Sequence, residues 1–412
     1  MKKFNIAIIG PTFSGNKGAA TMLVSGIEYL NKLLPINKFY FFSYYPEIDK
    51  QINPYKNVEI YSATPLNLII KIFPLTLLYK VFKLLNFSTK KIIKIKEIEI
   101  LTKTDLLIDM AGVSFIDGRE KFLPFNILTI WPALLLNIPI VKYPQSIGPF
   151  KKLINKFLAK IFLAKIKLII ARGKKTEEYL KSINLKNIFL GVDGGFSLNL
   201  SINDHLFANK FKNEHDIFFQ NKNKIVGISP SSVVAKYCYQ TNLDYEKILI
   251  QFIQYLINKK YHIILFPYSL RINSSSTFNN DLPICNNILK EVASNACLCI
   301  NQDLSPQKLN ALISLTDLFI ASRFHSMVAS LSLNIPTIVC GWGHKYNEVL
   351  EMFEIKDYAF DYKILNVKIL QTYFEKLEFN YSEIKKKISR NLPKVKKISK
   401  KQMISIKNLL KV

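Results

Sequence analysis

Short apolar runs rich in Ile, Leu, Val and Phe recur along the chain, with amphipathic stretches between them. A strand that reads as a continuous apolar run is buried on both faces, so helices must cover both sides of its sheet. One series comprises Phe4–Ile9, Phe39–Ser43, Val58–Tyr61, Asp105–Met110, Ile138–Tyr143, Leu168–Ala171 and Ile188–Val192. A second restarts at Ile225–Ser229 and continues through His262–Pro267, Leu298–Ile300, Leu318–Ala321 and Thr337–Cys340. Helical patterns at Tyr245–Lys259, Leu282–Ala293, Pro306–Leu315 and Ser326–Leu333 separate its strands. This is the βα repeat of parallel sheets. The polar stretch 203–223, with His205, Glu214 and His215, reads as a linker. The expected class is α/β: two doubly wound domains, 1–202 and 224–375, facing a cleft at their strands' C-terminal ends. A basic helical tail, 376–412, follows.

The length of 412 residues fits two or three domains at about 150 residues each. With 49% hydrophobic and 21% charged residues the chain is globular rather than disordered, and 14 glycines exclude a collagen-like repeat. Five cysteines without regular spacing argue for reduced thiols rather than a disulfide framework. Met1-Lys-Lys-Phe4 resembles the start of a signal peptide, but Gly10-Pro11 closes the apolar stretch too early, so the segment reads as a first strand. Phe122–Val141 carries no charge, yet its three prolines favour a helix followed by a strand over a membrane span.

The net charge of +27 is uneven. From Ile384 onward there are eleven Lys/Arg and no acid, and Leu66–Lys103 sets Lys71, Lys80, Lys83, Lys90, Lys91, Lys94 and Lys96 among apolar residues. Both read as amphipathic basic helices able to meet an anionic membrane surface, or as lysines filling solvated positions. No nucleic-acid-binding motif is present, so nucleic acid is the least favoured partner.

Candidate chemistry sits in loops after strands. Gly15, Asn16 and Gly18 form a tight turn into a helix, which is either an anion or hydroxyl site or a plain βα turn. Ser322-Arg323-Phe324-His325-Ser326 follows a buried strand. If extended, it turns Arg323 and His325 toward one ligand and Phe324 inward, with Ser326 at a helix N-terminus. Arg offers a fork for phosphate or carboxylate, and His passes a proton near neutral pH. The alternative is a structural Arg beside a buried His. Arg172 and Asp193 occupy similar places, where loop-stabilising roles are common. Asp281 reads as an N-cap, and the loop Ser269–Asn280 is long enough for a lid. His344 and Lys345 add positive charge, and Trp342 reads as packing against a domain interface rather than sugar stacking. The five histidines are scattered and suggest no metal centre.

These segments together resemble the polysaccharide pyruvyl transferase family. The matching pieces include Gly15-Asn-Lys-Gly18, Ala111-Gly-Val-Ser-Phe-Ile-Asp117, Pro144–Pro149, Ala171-Arg172, Asp193–Phe196, Gly227–Pro230, Pro267-Tyr-Ser269, Arg323-Phe-His325 and Gly341–Tyr346. The chain departs from the usual family pattern at Lys17, Gly173, Gly194 and Tyr268. The resemblance implies two Rossmann-like domains in a glycosyltransferase-B-like fold. It also implies transfer of a pyruvyl group from phosphoenolpyruvate to two sugar hydroxyls, forming a ketal, with no further cofactor. His325 is then the proton donor. Arg323, Arg172, Ser326, His344 and Lys345 bind the donor, and Gly15, Asn16, Gly18, Asp117 and Asp193 are acceptor or loop positions. The expected partners are phosphoenolpyruvate and a sugar or lipid-linked oligosaccharide, with the protein cytoplasmic and held at the inner membrane face by its basic helices. A nucleotide-sugar glycosyltransferase, with Glu348 gripping the ribose, and a noncatalytic carbohydrate- or membrane-binding protein are the rival readings.

Overall fold

The computed structural model describes residues 2–220, 223–271 and 279–410. The chain divides into two compact units. The first holds Met1–Ser14, Met22–Ser197 and Lys397–Val412, and the second holds Gly15–Thr21 and Leu198–Lys396. The loop 15–21, expected in the N-terminal domain, therefore groups with the second unit.

In the first unit the strands are β1 (Phe4–Ile9), β2 (Ile36–Ser43), β3 (Val58–Ser62), β4 (Leu106–Asp109), β5 (Val113–Ser114), β6 (Ile140–Ile147), β7 (Leu168–Arg172) and β8 (Ile188–Gly191). They form a parallel sheet in the order β3-β2-β1-β4-β6-β7-β8, with β5 pairing the far end of β6. The order reverses between β1 and β4, which makes that edge a topological switch point. Ile6, Ile8, Leu106, Ile108, Val141, Ile169 and Ile170 are removed from water at the sheet's centre. That burial supplies the main driving force, about 1.5–3 kcal/mol for each such side chain.

The second unit repeats the arrangement with β9 (Ile225–Ser229), β10 (His262–Leu265), β11 (Cys297–Cys299), β12 (Leu318–Ala321), β13 (Thr337–Gly341) and β14 (Ala359–Asp361). The order is β11-β10-β9-β12-β13-β14, all parallel, and the switch point lies between β9 and β12. β5 and β14 are too short to stand out in the sequence pattern.

The stretch 203–223 is not an irregular linker. Helix Ile202–Glu214 opens on a capping box in which the Ser201 and Asp204 side chains bond each other's backbone N–H, and helix Asp216–Gln220 follows. Ala208 and Phe218 are buried. The helix escaped notice because its polar residues are spread around it; the Ser201-x-x-Asp204 start signal was the legible part. The tail is helical as expected, with helices Val367–Phe379 and Tyr381–Asn408. It is not an appendage, however, since Ile384, Ile388, Val395, Met403 and Ile406 are buried along one stripe.

Phe122–Val141 breaks into the short helices Leu123–Leu128 and Trp131–Leu135 before β6, as its prolines require. The segment long and apolar enough to cross a bilayer is instead the helical stretch Pro65–Leu84, of which Leu68, Ile72, Thr76 and Tyr79 are buried on the protein.

All five cysteines are thiols, and only Cys299 is partly exposed. Burial pushes Cys238 up to about 11 and Cys297 up to about 12, and raises Cys285 and Cys340 as well. The reactive thiolate form of these four is therefore suppressed at pH 8. Iodoacetamide at that pH should label no more than one cysteine in the folded protein and five in urea. Labelling of Cys238 or Cys340 without denaturant would contradict the burial.

Candidate functional site

The switch-point edge of the second unit carries a densely connected polar group around Arg323. β12 ends at Ala321, and Arg323 is extended (φ −101°, ψ 135°) as the residue before helix Phe324–Ser332. The expected extended triplet is thus cut short: His325 is already helical. Ser326 Oγ donates to the Arg323 carbonyl at 2.8 Å, tightening the first turn. Ser326 is fully buried and its hydroxyl is turned to the backbone. Phe324 packs inward as the sequence suggested.

The Arg323 guanidinium makes four hydrogen bonds. Nε donates to Asp281 Oδ2 (2.8 Å), Nη2 to Asp281 Oδ1 (2.5 Å) and Ser232 Oγ (3.0 Å), and Nη1 to Asn279 Oδ1 (2.9 Å). Among the described residues one of its five donors, on Nη1, has no acceptor. Asp281 precedes helix Leu282–Val292 but does not cap it with its side chain. Its buried carboxylate accepts instead from Arg323 and from the backbone N–H groups of Ser232 and Ser269. Asp281 thus holds the N-cap position read from the sequence, but its carboxylate serves distant partners rather than the helix. Its position before a Pro-containing helix start was visible in the sequence; its long-range partner was not.

Loop 15–21 lies against this edge. Asn16 bridges Ser269, Lys17 N donates to the Tyr268 carbonyl (3.0 Å), and Leu270 N donates to the Gly15 carbonyl (2.9 Å). Asn16 Oδ1 accepts from Gly18 N at 3.0 Å, starting helix Lys17–Leu33. A Cβ on Gly18 would stand 2.0 Å from Nδ1 of His325, so only glycine lets the helix backbone reach the imidazole. The Lys17 ammonium is buried and paired with Asp303.

Next to Phe324, the Lys345 ammonium sits 4.6 Å from the Trp342 ring centroid, 5.0 Å from Phe324 and 5.5 Å from Tyr346. Trp342 contacts Tyr237 and Tyr346, which belong to its own unit. His344 Nε2 lies 3.7 Å from Glu348, which gives Glu348 a partner on its own helix. Phe324 meets His325 edge to face at 5.3 Å. The second unit therefore brings together Gly15, Asn16, Gly18, Arg323, His325, Ser326, His344 and Lys345. The lid assigned to Ser269–Asn280 falls largely on 272–278, outside the described residues.

Arg172, Asp193 and Asp117 belong to the first unit. Arg172 is buried and donates to Asp193 (3.0 Å), Ser146 Oγ (2.9 Å) and the Gly112 carbonyl (3.0 Å). It ties together loops of its own sheet rather than standing open for a donor. Asp193 also accepts from Gly195 N (2.8 Å). Asp117 accepts from the backbone N–H groups of Lys151 and Lys152 and from the Asn155 side chain, holding the turn that leads into helix Leu153–Leu163. That is the loop role, one of the two expected of it.

Sequence reasoning missed a buried pair beside them. Lys142 Nζ donates to Asp109 Oδ2 at 2.6 Å, with Gln145 on Asp109 Oδ1 and Ser114 on Gln145. A lysine and an aspartate inside apolar strands were the available signal. Burial, and then the Asp193 charge, raise the Tyr143 phenol close by. Among the described residues no three His, Cys, Asp or Glu side chains come together as metal ligands.

The profile of the polysaccharide pyruvyl transferase family matches residues 16–344. The amylovoran biosynthesis protein AmsJ of Erwinia amylovora is 20% identical over 294 residues, covering 70% of this chain and 69% of that protein. Among solved structures, the UDP-GlcNAc 2-epimerase of Neisseria meningitidis superposes with a TM-score of 0.61 at 14% identity, over 99% of this chain and 100% of that one. The UDP-GlcNAc 2-epimerase of Methanocaldococcus jannaschii gives 0.53 at 14% identity, over 90% and 92%. These likenesses establish a glycosyltransferase-B-like fold.

Removing the Asp281 carboxylate would strand a guanidinium that is only 14% exposed, along with two backbone donors. Asp281→Ala should lower folding stability by about 3–5 kcal/mol in urea denaturation. Asp281→Ala with Arg323→Leu should recover part of that, since no charge is then left unpaired. A single variant as stable as the parent chain would refute the tie.

Proposed function

The chain belongs to the polysaccharide pyruvyl transferase family, and from that premise we propose that it transfers the pyruvyl group of phosphoenolpyruvate to two hydroxyls of one sugar in a polysaccharide or its precursor. The observation that supports this reading is the placement of Arg323 and His325 at the switch point between β9 and β12, with the Gly18 backbone against the imidazole. Ligands of open α/β sheets bind at such edges.

In this reading the imidazolium of His325 gives its proton to C3 of the enol, and positive charge develops at C2. A sugar hydroxyl attacks C2 and gives up its proton. The second hydroxyl then displaces phosphate from C2, closing the ketal. Of the two protons lost by the hydroxyls, one balances that gained by C3 and one leaves with phosphate. Lys345 and the remaining Nη1 donor of Arg323 bind the donor's phosphate or carboxylate, with the positive end of helix Phe324–Ser332 beside them. The aromatic rings around Lys345 hold its ammonium in place. Asp281 fixes the orientation of Arg323 without touching the substrate.

Thermal melting with phosphoenolpyruvate, beside a panel of nucleotide sugars, tests the donor. At 100 times its dissociation constant a ligand adds about 2.7 kcal/mol of stability. Phosphoenolpyruvate should raise the melting temperature in the parent chain and not in Arg323→Ala. A rise produced only by a nucleotide sugar would replace this reading with glycosyl transfer. Acceptor-dependent phosphate release should fall by about 10²–10⁴-fold in His325→Ala. It should fall too in Gly18→Ala, whose added methyl displaces the ring while circular dichroism stays unchanged. Undiminished release from His325→Ala would remove its assigned role.

A further inference from the structure

Helix Leu153–Leu163 is apolar on two opposite faces. Asn155, Ala159, Phe162 and Leu163 pack into the first unit, while Leu153, Ile154, Phe157 and Ile161 are exposed, Leu153 at 83% and Phe157 at 62%. Residues 153, 157 and 161 lie one turn apart along a single line. A helix covered by water on that side would place its charges there. Here six lysines and no acid occupy 149–167, and Lys156 and Lys160 border the exposed stripe.

The segment 65–87, helical as far as Leu84, repeats the pattern. Leu66, Ile70 and Leu84 are each about two-thirds exposed, with Ile69, Leu77, Leu78, Val81, Leu85 and Phe87 also exposed. Residues 65–103 contain eight lysines and two acids, Glu97 and Glu99, each paired to a lysine. Aromatic contacts join the two elements: Phe73 meets Trp131 at 4.6 Å, and Trp131 meets Phe162 at 5.4 Å. Trp131 also lines an open groove of about 490 Å³ with Leu123, Ile127, Ile154 and Leu158, whose walls are almost wholly apolar. The single acid at the groove, Glu120, is paired to Lys152 at 3.0 Å.

We propose that this surface seats the first unit on an anionic lipid bilayer, with one hydrocarbon chain of a lipid entering the groove. Apolar side chains interleaved with lysines match the two chemistries of a bilayer surface: the former enter the acyl boundary and the latter reach the phosphates. Trp131 suits that boundary, being apolar with one N–H. The segment lies in the interface and does not span it, because its other side is buried on the protein. The C-terminal basic helix differs: its apolar stripe is buried and Ile404 is its single exposed large apolar residue among those described, so it offers mainly charge. The inference is independent of which donor the enzyme uses.

Co-sedimentation of the full chain with vesicles of phosphatidylcholine and phosphatidylglycerol tests it. The chain should pellet with these and much less with pure phosphatidylcholine. Leu153→Glu with Phe157→Glu, and separately Leu66→Glu with Ile70→Glu, should each weaken binding about tenfold or more without lowering the melting temperature. If a glutamate pair does lower it, the Ser pair at the same positions is the variant to read. Lys400→Glu with Lys401→Glu, on the C-terminal helix, should bind nearly as the parent does. Failure of the parent chain to pellet, full binding by both apolar variants, or an equal loss from the Lys400/Lys401 change would each overturn the proposal. Loss of vesicle binding with unchanged phosphoenolpyruvate stabilisation separates this surface from the donor site.

Discussion

A buried carboxylate between three loops organises the edge on which the chemistry depends. Asp281 takes the Arg323 fork and two backbone N–H groups, so loops following β9, β10 and β12 share one acceptor. A carboxylate so placed is unfavourable unless its lone pairs are filled, and here four donors fill them. The guanidinium is fixed by the same bonds, and its next residues begin the helix that carries His325. Arg323 therefore serves first as a positioning group, whatever its remaining donor meets.

The departures from the usual family pattern have local physical accounts. Lys17 is a buried cation matched by Asp303, a pair lying within the second unit. Gly173 sits at φ 104°, ψ 166°, just before helix Lys174–Ser182, a conformation that a residue with a Cβ resists. Tyr268 is buried and donates to Asn310 at 3.1 Å, so its phenol is engaged within the unit. Gly194 gives close passage to the Tyr143 ring, which a Cβ would meet at 2.4 Å. Each is a change in how a loop is held, and none removes Arg323 or His325.

The sheets were legible because short apolar runs, too short for helices, alternate regularly with longer amphipathic stretches. The bounds of Phe4–Ile9, Ile225–Ser229 and Leu318–Ala321 follow from the sequence to the residue, and most others to within two or three. Local start signals were legible as well, but helix Ile202–Glu214 shows what periodicity misses when no apolar stripe exists. For the site, residue types and strand ends pointed to Arg323, His325 and loop 15–18. What they did not carry was partnership across long separations. Asp281 looked like a cap because nothing local shows that Arg323, 42 residues on, takes its carboxylate. Arg172 and Asp117 looked available for the same reason, although Asp193 and the start of helix Leu153–Leu163 already hold them.

The basic helices make the same point about surfaces. Composition alone treats Ile384–Ile406 and the stretches 65–103 and 149–167 alike, since each mixes lysine with aliphatic residues. Burial separates them. In the C-terminal helix every fourth or third position from Ile384 faces protein, and the lysines face solvent, which is the ordinary division for a soluble helix. In helix Leu153–Leu163 the inward stripe is complete and a second apolar stripe remains outside it. An exposed apolar face of this extent carries a standing hydration cost, and scattered single residues would need no explanation. Here the residues are contiguous, adjoin an apolar groove and are bordered by unbalanced lysines. Water is the poorest solvent for that combination, and an anionic lipid surface is the environment whose chemistry matches it.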